Sequence, residues 1–263
     1  MQMLARVLDL PVWQFGFFFV GGFVALSVGL ALAVRPFVQK RFGEEHNAVF
    51  DTGFSAVGIM YAIVAGLLVL GVYSTFDDAS KAAADEASNL VLMYHEAGAF
   101  PQPQRDQTRQ AVESYTRSVI EDDWPALADG EGSPTTERAL DRMYAVLGPM
   151  EPDRKWSDQY TAAVGELNTV LTLRYERIDD SSAALVPIYW VVLFVGAFLT
   201  VLHLVLLHMK NRTMHLIAVA VTAAMLGMVL YLLIELNMPF RGQISLSPTR
   251  FEAALATMTT MGD

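Results

Sequence analysis

The chain has 263 residues, of which 53% are hydrophobic and 17% are charged. Soluble domains carry about 25% charged residues, so this composition favours a membrane protein. The formal net charge of −10 argues against nucleic acid as a partner, because nucleic-acid-binding surfaces are basic. The chain contains no cysteine, which excludes disulfides, thiol catalysis and thiolate metal sites.

Two uncharged runs open the chain. The first, Leu10–Val34, exceeds the 7–15 apolar residues of a typical signal-peptide core, so we expect an uncleaved membrane helix. The second, Thr52–Phe76, is long enough to cross about 30 Å of hydrocarbon. No Gly or Pro interrupts Val72–Ala97, which predicts one helix that leaves the membrane and enters a water-soluble layer. Residues 1–76 are therefore predicted to form a first transmembrane hairpin.

Residues 77–180 are polar, with apolar residues at helical spacing and no strand signal. We predict a soluble helical layer in which one helix covers 103–127. Ser133, followed by proline, is typical of a helix N-cap. A last helix is expected to open near Glu151.

Two more uncharged runs, Ser181–Leu202 and Leu216–Ile234, predict a second transmembrane hairpin over 181–236, followed by a C-terminal tail over 237–263. The fold class is thus an all-α membrane protein with four transmembrane helices and a soluble helical layer between the second and third. Four spans place both termini and that layer on one side of the membrane.

Several short motifs occur in a characteristic order along the chain. They are Glu45-His46-Asn47, Gly58-Ile59-Met60-Tyr61-Ala62, Tyr73 and Phe76 followed by Ala79, Glu86-Ala87, Pro101-Gln102-Pro103, Tyr115, Asp123-Trp124-Pro125, Leu167-Asn168-Thr169, Met238-Pro239-Phe240-Arg241-Gly242 and Phe251-Glu252. In this order the chain resembles the bestrophin-like family of bacterial membrane proteins and, more distantly, the bestrophin ion channels.

Bestrophins are pentameric channels whose second membrane helix lines a narrow apolar neck with residues at i, i+4 and i+8. The resemblance therefore implies a pore lined by Ser55, Ile59 and Ile63. Calcium-gated bestrophins carry an acidic run after the Pro-Phe-Gly-like turn. The corresponding segment here, Gln243–Ser247, has no carboxylate, so the resemblance does not extend to calcium gating.

A second stripe on the same helix consists of small residues. Gly58, Ala62 and Gly66 lie at i, i+4 and i+8. Small residues usually allow close helix packing in membranes, and a pore-facing stripe is the alternative. If the stripe packs, the neighbouring face is left free to line a pore.

Glu121, Asp122 and Asp123 form a carboxylate cluster. A run of this kind is usually a solvated helix end, but it could also be a cation site or one ring of charge around a vestibule. Residues 77–180 hold twenty-one Asp and Glu against ten Lys and Arg. Repeated around a ring, this excess predicts a preference for cations.

The sequence contains no enzyme motif, neither a Gly-rich phosphate loop nor a Gly-x-Ser-x-Gly segment. The five histidines form no i, i+4 pair, so we expect no metal site, no cofactor and no catalytic residue. The expected partners are the lipid bilayer, further copies of the chain and small inorganic ions.

The sequence thus predicts an oligomeric, most simply pentameric, ion channel of the bacterial inner membrane. The alternative is a non-conducting scaffold or sensor whose soluble helices bind a protein. Two signals disagree on which side of the membrane the soluble layer lies. The short loops 35–51 and 208–215 hold basic residues, which the positive-inside rule assigns to the cytoplasm and which would place the soluble layer outside. The bestrophin resemblance instead places the soluble layer and both termini in the cytoplasm, which is the side that we predict.

Overall fold

The computed structural model describes residues 12–41, 45–242 and 244–262, with the backbone alone for residues 12 and 45–55. All regular structure in these residues is helical. The α-helices are α1 (Val12–Arg41), α2 (Glu45–Glu96), α3 (Gln104–Ser118), α4 (Trp124–Leu127), α5 (Pro134–Leu147), α6 (Ser157–Ser182), α7 (Pro187–Leu206), α8 (Arg212–Leu236) and α9 (Thr249–Gly262). A π-helical turn, Val119–Asp123, joins α3 to α4.

Four of the described helices are long and apolar enough to cross a membrane: α1, the part of α2 that starts at Ala56, α7 and α8. This confirms the predicted all-α fold with four transmembrane helices. The chain divides into two compact units. The membrane unit comprises Met1–Ser74, Leu185–Asn237 and Gly242–Ile244, and the helical unit comprises Thr75–Ala184, Met238–Arg241 and Ser245–Asp263.

The membrane unit packs α1 against α8 through small residues. A Cβ on Gly227 would lie 3.5 Å from the backbone of Val20 and 3.6 Å from the Phe23 side chain. This distance is ordinary van der Waals contact, so α1 and α8 lie close together here and a methyl group at position 227 would also fit. Ala31 and Ala223 continue the same contact, and both are buried.

Polar groups close one end of the membrane unit. The Arg35 guanidinium donates to the Met209 carbonyl at 3.1 Å and contacts Nδ1 of His215 at 3.1 Å. Because Arg35 can only donate, Nδ1 of His215 accepts, and Nε2 therefore donates to the Leu204 carbonyl at 2.8 Å. The Asn211 side chain caps α8 by accepting from the backbone N–H groups of residues 213 and 214.

The helical unit has one large apolar core, to which α2, α3, α5, α6 and α9 all contribute. The segment 237–263, predicted as the C-terminal tail, supplies Phe251, Ala254 and Met258 to this core. The Ser133 cap is confirmed, because its hydroxyl accepts from the backbone N–H of Thr135 at 3.1 Å.

The last helix of the soluble layer, α6, starts at Ser157 and not near Glu151. Asp153 explains the delay, because its carboxylate accepts from the backbone N–H of Lys155 at 2.8 Å and so holds a turn. Trp156 then packs its ring 5.2 Å from that of Phe100 and anchors the start of the helix.

Candidate functional site

One face of α2 packs inside the membrane unit. Tyr61, Ala65 and Val72 are buried there against residues of α7 and α8 that include Leu193 and Leu230. The three α2 positions follow one another at spacings of four and seven residues, which keeps them on one side of a helix. Gly196 of α7 is needed at this contact, because a Cβ there would overlap the Tyr61 ring.

The opposite face of α2 is apolar and is largely left uncovered by the described residues of the same chain. Ile59 is 62% exposed and Ile63 is 58% exposed, and Leu67 and Leu70 are also exposed. Ile59 and Ile63 each lie two residues, or about 200° of helix rotation, from the buried Tyr61. We call these four residues the outward face. An apolar stripe of this length must be covered by lipid or by other copies, or must line an apolar passage.

The other α2 residues predicted to line a pore or to pack are Ser55, Gly58, Ala62 and Gly66. Ser55 lies outside the residues whose side chains the structure describes. A Cβ on Gly58 or Gly66 would meet no atom within 4 Å, and Ala62 is exposed. The small-residue stripe is therefore not packed closely against other residues of the same chain that the structure describes. Its role in packing between copies, or in a pore, stays a prediction.

A second polar site lies inside the helical unit, where four charged side chains are fully buried together. Arg177 donates from Nε to Oε2 of Glu86 at 2.8 Å and from a terminal nitrogen to Oδ2 of Asp123 at 2.9 Å. Arg174 donates to Oδ1 of Asp123 at 3.2 Å and to Glu137. Tyr115 donates its hydroxyl to Oε1 of Glu86 at 2.7 Å. We call Glu86, Tyr115, Asp123, Arg174 and Arg177 the charge cluster.

Opposite charges are balanced within this cluster, because two buried carboxylates face two buried guanidinium groups. The Arg177 guanidinium also lies 5.5 Å from the ring centres of Trp124 and Phe251, a cation–π distance. Burial alone would lower the pKa of Arg177, but the charge of Glu86 and its hydrogen bond outweigh burial and raise it. Arg177 therefore stays charged at every physiological pH.

The hydroxyl of Tyr115 is held in its neutral form. Its complete burial, and next the negative charge of Glu86, raise the pKa of Tyr115 well above its usual value. Tyr115 thus serves as a permanent donor to Glu86.

A bestrophin-like domain matches residues 21–251, which is most of the chain. The chain belongs to the bestrophin-like family. No protein with a curated description matches it. Solved structures of variants of a bacterial bestrophin homolog from Klebsiella pneumoniae share its fold, with TM-scores of 0.72, 0.71 and 0.71 at sequence identities of 14%, 16% and 16%. These alignments cover 94%, 93% and 94% of this chain and 98%, 99% and 98% of the solved chains.

Three of the motifs that carry the bestrophin resemblance meet in the charge cluster. Glu86, Tyr115 and Asp123 come from three separate motifs and are joined by Arg177. Trp124, from the same motif as Asp123, donates its indole N–H to the Leu246 carbonyl at 2.9 Å. In this bestrophin-like chain, these motif residues thus form the polar interior of the helical unit.

Asp123 corrects the prediction that Glu121, Asp122 and Asp123 together carry solvent-facing charge. Glu121 and Asp122 are exposed, but Asp123 is fully buried and also accepts from the backbone N–H of Ser133 at 2.7 Å. The π-helical turn turns Asp123 inward. That Glu121 and Asp122 face a vestibule stays a prediction, and among the described residues no group of three or more His, Asp or Glu could hold a metal ion.

Sequence reasoning missed Arg174 and Arg177 altogether. A signal was present, because Leu167, Val170, Arg174 and Arg177 repeat at three or four residues and so share one face of α6. Two arginines on an otherwise apolar stripe predict buried acidic partners, since buried arginine is almost always paired.

Proposed function

We propose that this protein is a subunit of an oligomeric, most simply pentameric, ion channel of the bacterial inner membrane. The uncovered apolar face of α2 carries the proposal, together with membership in a family whose known bestrophin relatives are ion channels. The neck would be lined by Ser55, Ile59 and Ile63, and copies would pack through the flanks of α2, including Gly58, Ala62 and Gly66.

The arrangement of α2 favours this assembly. Its buried face is fully used for packing within the chain, so the outward face points away from the rest of its own membrane unit. When several such subunits close into a ring, a face of this kind turns toward the symmetry axis. Rings of isoleucine around an axis form an apolar constriction that can open and close by wetting and drying.

Purified wild-type protein should be a homo-oligomer with a mass of about five times the 29.0 kDa chain. Native mass spectrometry in mild detergent measures this directly. Liposomes containing the oligomer should release trapped sodium faster than protein-free liposomes. A stable monomer without flux would instead support the non-conducting scaffold.

The helical unit is proposed to lie in the cytoplasm, with both termini. The basic loops favour the opposite side, but Arg35 is engaged with Met209 and His215 and so has a structural reason to be basic. The charge of Arg35 is therefore not by itself a sign that its loop lies in the cytoplasm.

Cysteine labelling can test the sidedness, because the chain has no native cysteine. Lys155→Cys lies in the exposed segment 151–155, and Thr213→Cys is exposed at the start of α8. With four spans these positions are on opposite sides. A membrane-impermeant maleimide should label Thr213→Cys on cells with a permeabilised outer membrane, and Lys155→Cys only after lysis. The reverse pattern would place the helical unit outside the cytoplasm.

A further inference from the structure

An apolar groove runs along the outside of the membrane unit between α1 and α8. Its volume is about 530 Å³, which is the size of a cleft that holds one small ligand. Both helices are long and apolar enough to cross the membrane, so the groove opens to lipid and not to water. Its lining includes Trp13, Gly16, Phe17 and Gly21 of α1 and Met228 and Tyr231 of α8.

The wall that Tyr231 contributes to the groove is held in place within the single chain. The Tyr231 ring lies against Gly16, where a Cβ atom would come within 3.0 Å of the ring edge. The centre of the ring also lies 5.7 Å from that of Phe15 and 6.4 Å from that of Phe19. The groove is therefore formed before any ligand enters it, so binding does not have to rearrange this wall.

The position of the groove along the membrane indicates from where a ligand enters. Trp13 is the first residue of the first membrane span, and tryptophan and tyrosine favour the level of the lipid headgroups. From Trp13 to Gly21 the lining follows α1 for about 12 Å, at about 1.5 Å per residue. The groove thus leads from the headgroup level into the hydrocarbon, which is the path of a lipid tail.

The width of the groove distinguishes an acyl chain from a helix of a second copy. A helix about 10 Å wide would fill on the order of 900 Å³ over the same length, which is well above the groove volume of about 530 Å³. An extended acyl chain is narrower than a helix because it carries no side chains. Gly21 leaves room for it, since a Cβ atom there would meet no atom of the described residues within 4 Å.

We propose that this groove binds one acyl chain of a membrane phospholipid, whose headgroup lies at the membrane surface near Trp13. Lipid tails are as apolar as the groove, so shape and van der Waals contact select the bound chain. A chain in the groove touches both helices and therefore exchanges more slowly than the surrounding lipid. The inference goes beyond the channel proposal and holds whether or not the protein conducts ions.

Photolabelling tests the inference with a phosphatidylethanolamine that carries a diazirine in one acyl chain. The purified protein in mild detergent is irradiated with this lipid, and peptide mass spectrometry locates the label. Wild-type label should concentrate on the groove residues of α1 and α8, and unlabelled phosphatidylethanolamine should compete with it. Gly21→Leu and Met228→Trp fill the groove from its two helices and should each lower the label by at least about fivefold, because overfilling a fitted apolar site is costly.

Gly22→Leu is the matched control. Gly22 is exposed like Gly21, and a Cβ atom there would also meet no atom of the described residues within 4 Å. It lies about 100° of helix rotation from Gly21 and does not line the groove, so its label should equal that of the wild type. Wild-type label spread evenly over the membrane helices, or unchanged in both groove variants, would overturn the lipid site. Size-exclusion chromatography covers the remaining case, because a groove variant that dissociates the oligomer would identify a contact between copies and also overturn it.

Discussion

Replacing Arg177 with methionine should lower the apparent unfolding midpoint of the protein by on the order of 10 °C. Methionine fills much of the same volume but removes the only partner that joins Glu86 to Asp123 among the described residues. Removing one partner from a buried ion pair costs about 3–5 kcal/mol, because the other charge is left buried and uncompensated. For a chain of this size each kcal/mol shifts the midpoint by about 2–4 °C. Thermal unfolding followed by circular dichroism in detergent measures the effect.

Two further variants separate the loss of charge compensation from the loss of packing. Arg154→Met removes an arginine from an exposed loop and should change the midpoint by no more than about 2 °C. Arg177→Met combined with Glu86→Gln removes both charges of the main pair, so it should be less destabilising than Arg177→Met alone. A double variant at least as unstable as the sum of its single changes would show that burial of an unpaired charge is not the cause.

The Ile59→Ala variant should conduct about tenfold better than the wild type, or more. The change removes three carbon atoms per copy from the proposed neck, and each apolar CH₂ group contributes about 0.8 kcal/mol to the preference for a dry environment. A barrier lowered by only about 1.4 kcal/mol already raises a rate tenfold. Single-channel recording in planar bilayers measures the conductance.

Ile217→Ala is the matched control for the neck. Ile217 is an exposed isoleucine of α8, so the substitution is chemically identical but lies on a helix that is not proposed to line the pore. Its conductance should equal that of the wild type. Equal conductance of Ile59→Ala and wild type would remove Ile59 from the neck but leave the channel proposal intact.

Much of the fold follows from signals that lie close together in the sequence. The four membrane helices are visible because each contains a long run without charged residues, and α5 begins just after Ser133 because the Ser133 hydroxyl accepts from the backbone N–H of Thr135. The packing face of α2 within the chain was not predicted, because the sequence favours Gly58, Ala62 and Gly66 for helix packing. The spacing of Tyr61, Ala65 and Val72 defines a packing face, and Ile59 and Ile63 fall on the other side.

The charge cluster could not be predicted in the same way. Asp123 pairs with arginines that are 51 and 54 residues away in sequence, and no local pattern connects them. In addition, three consecutive acidic residues at a helix end are usually solvated, so Asp123 looked like its exposed neighbours. Only the irregular turn at Val119–Asp123 sets it apart.

The π-helical turn Val119–Asp123 restricts the number of residues between Tyr115 and Asp123 more strictly than it restricts which residues they are. Tyr115, Val119, Asp123 and Leu127 repeat every four residues, and all are buried. In a regular α-helix each such step would rotate the side chain by about 40°, and the wider π-helical turn absorbs the difference. Losing or gaining one residue between Tyr115 and Asp123 would move the carboxylate to another side of the helix, away from both arginines. Among relatives that keep the cluster, the eight-residue separation should therefore be free of insertions and deletions, even where the intervening residues vary.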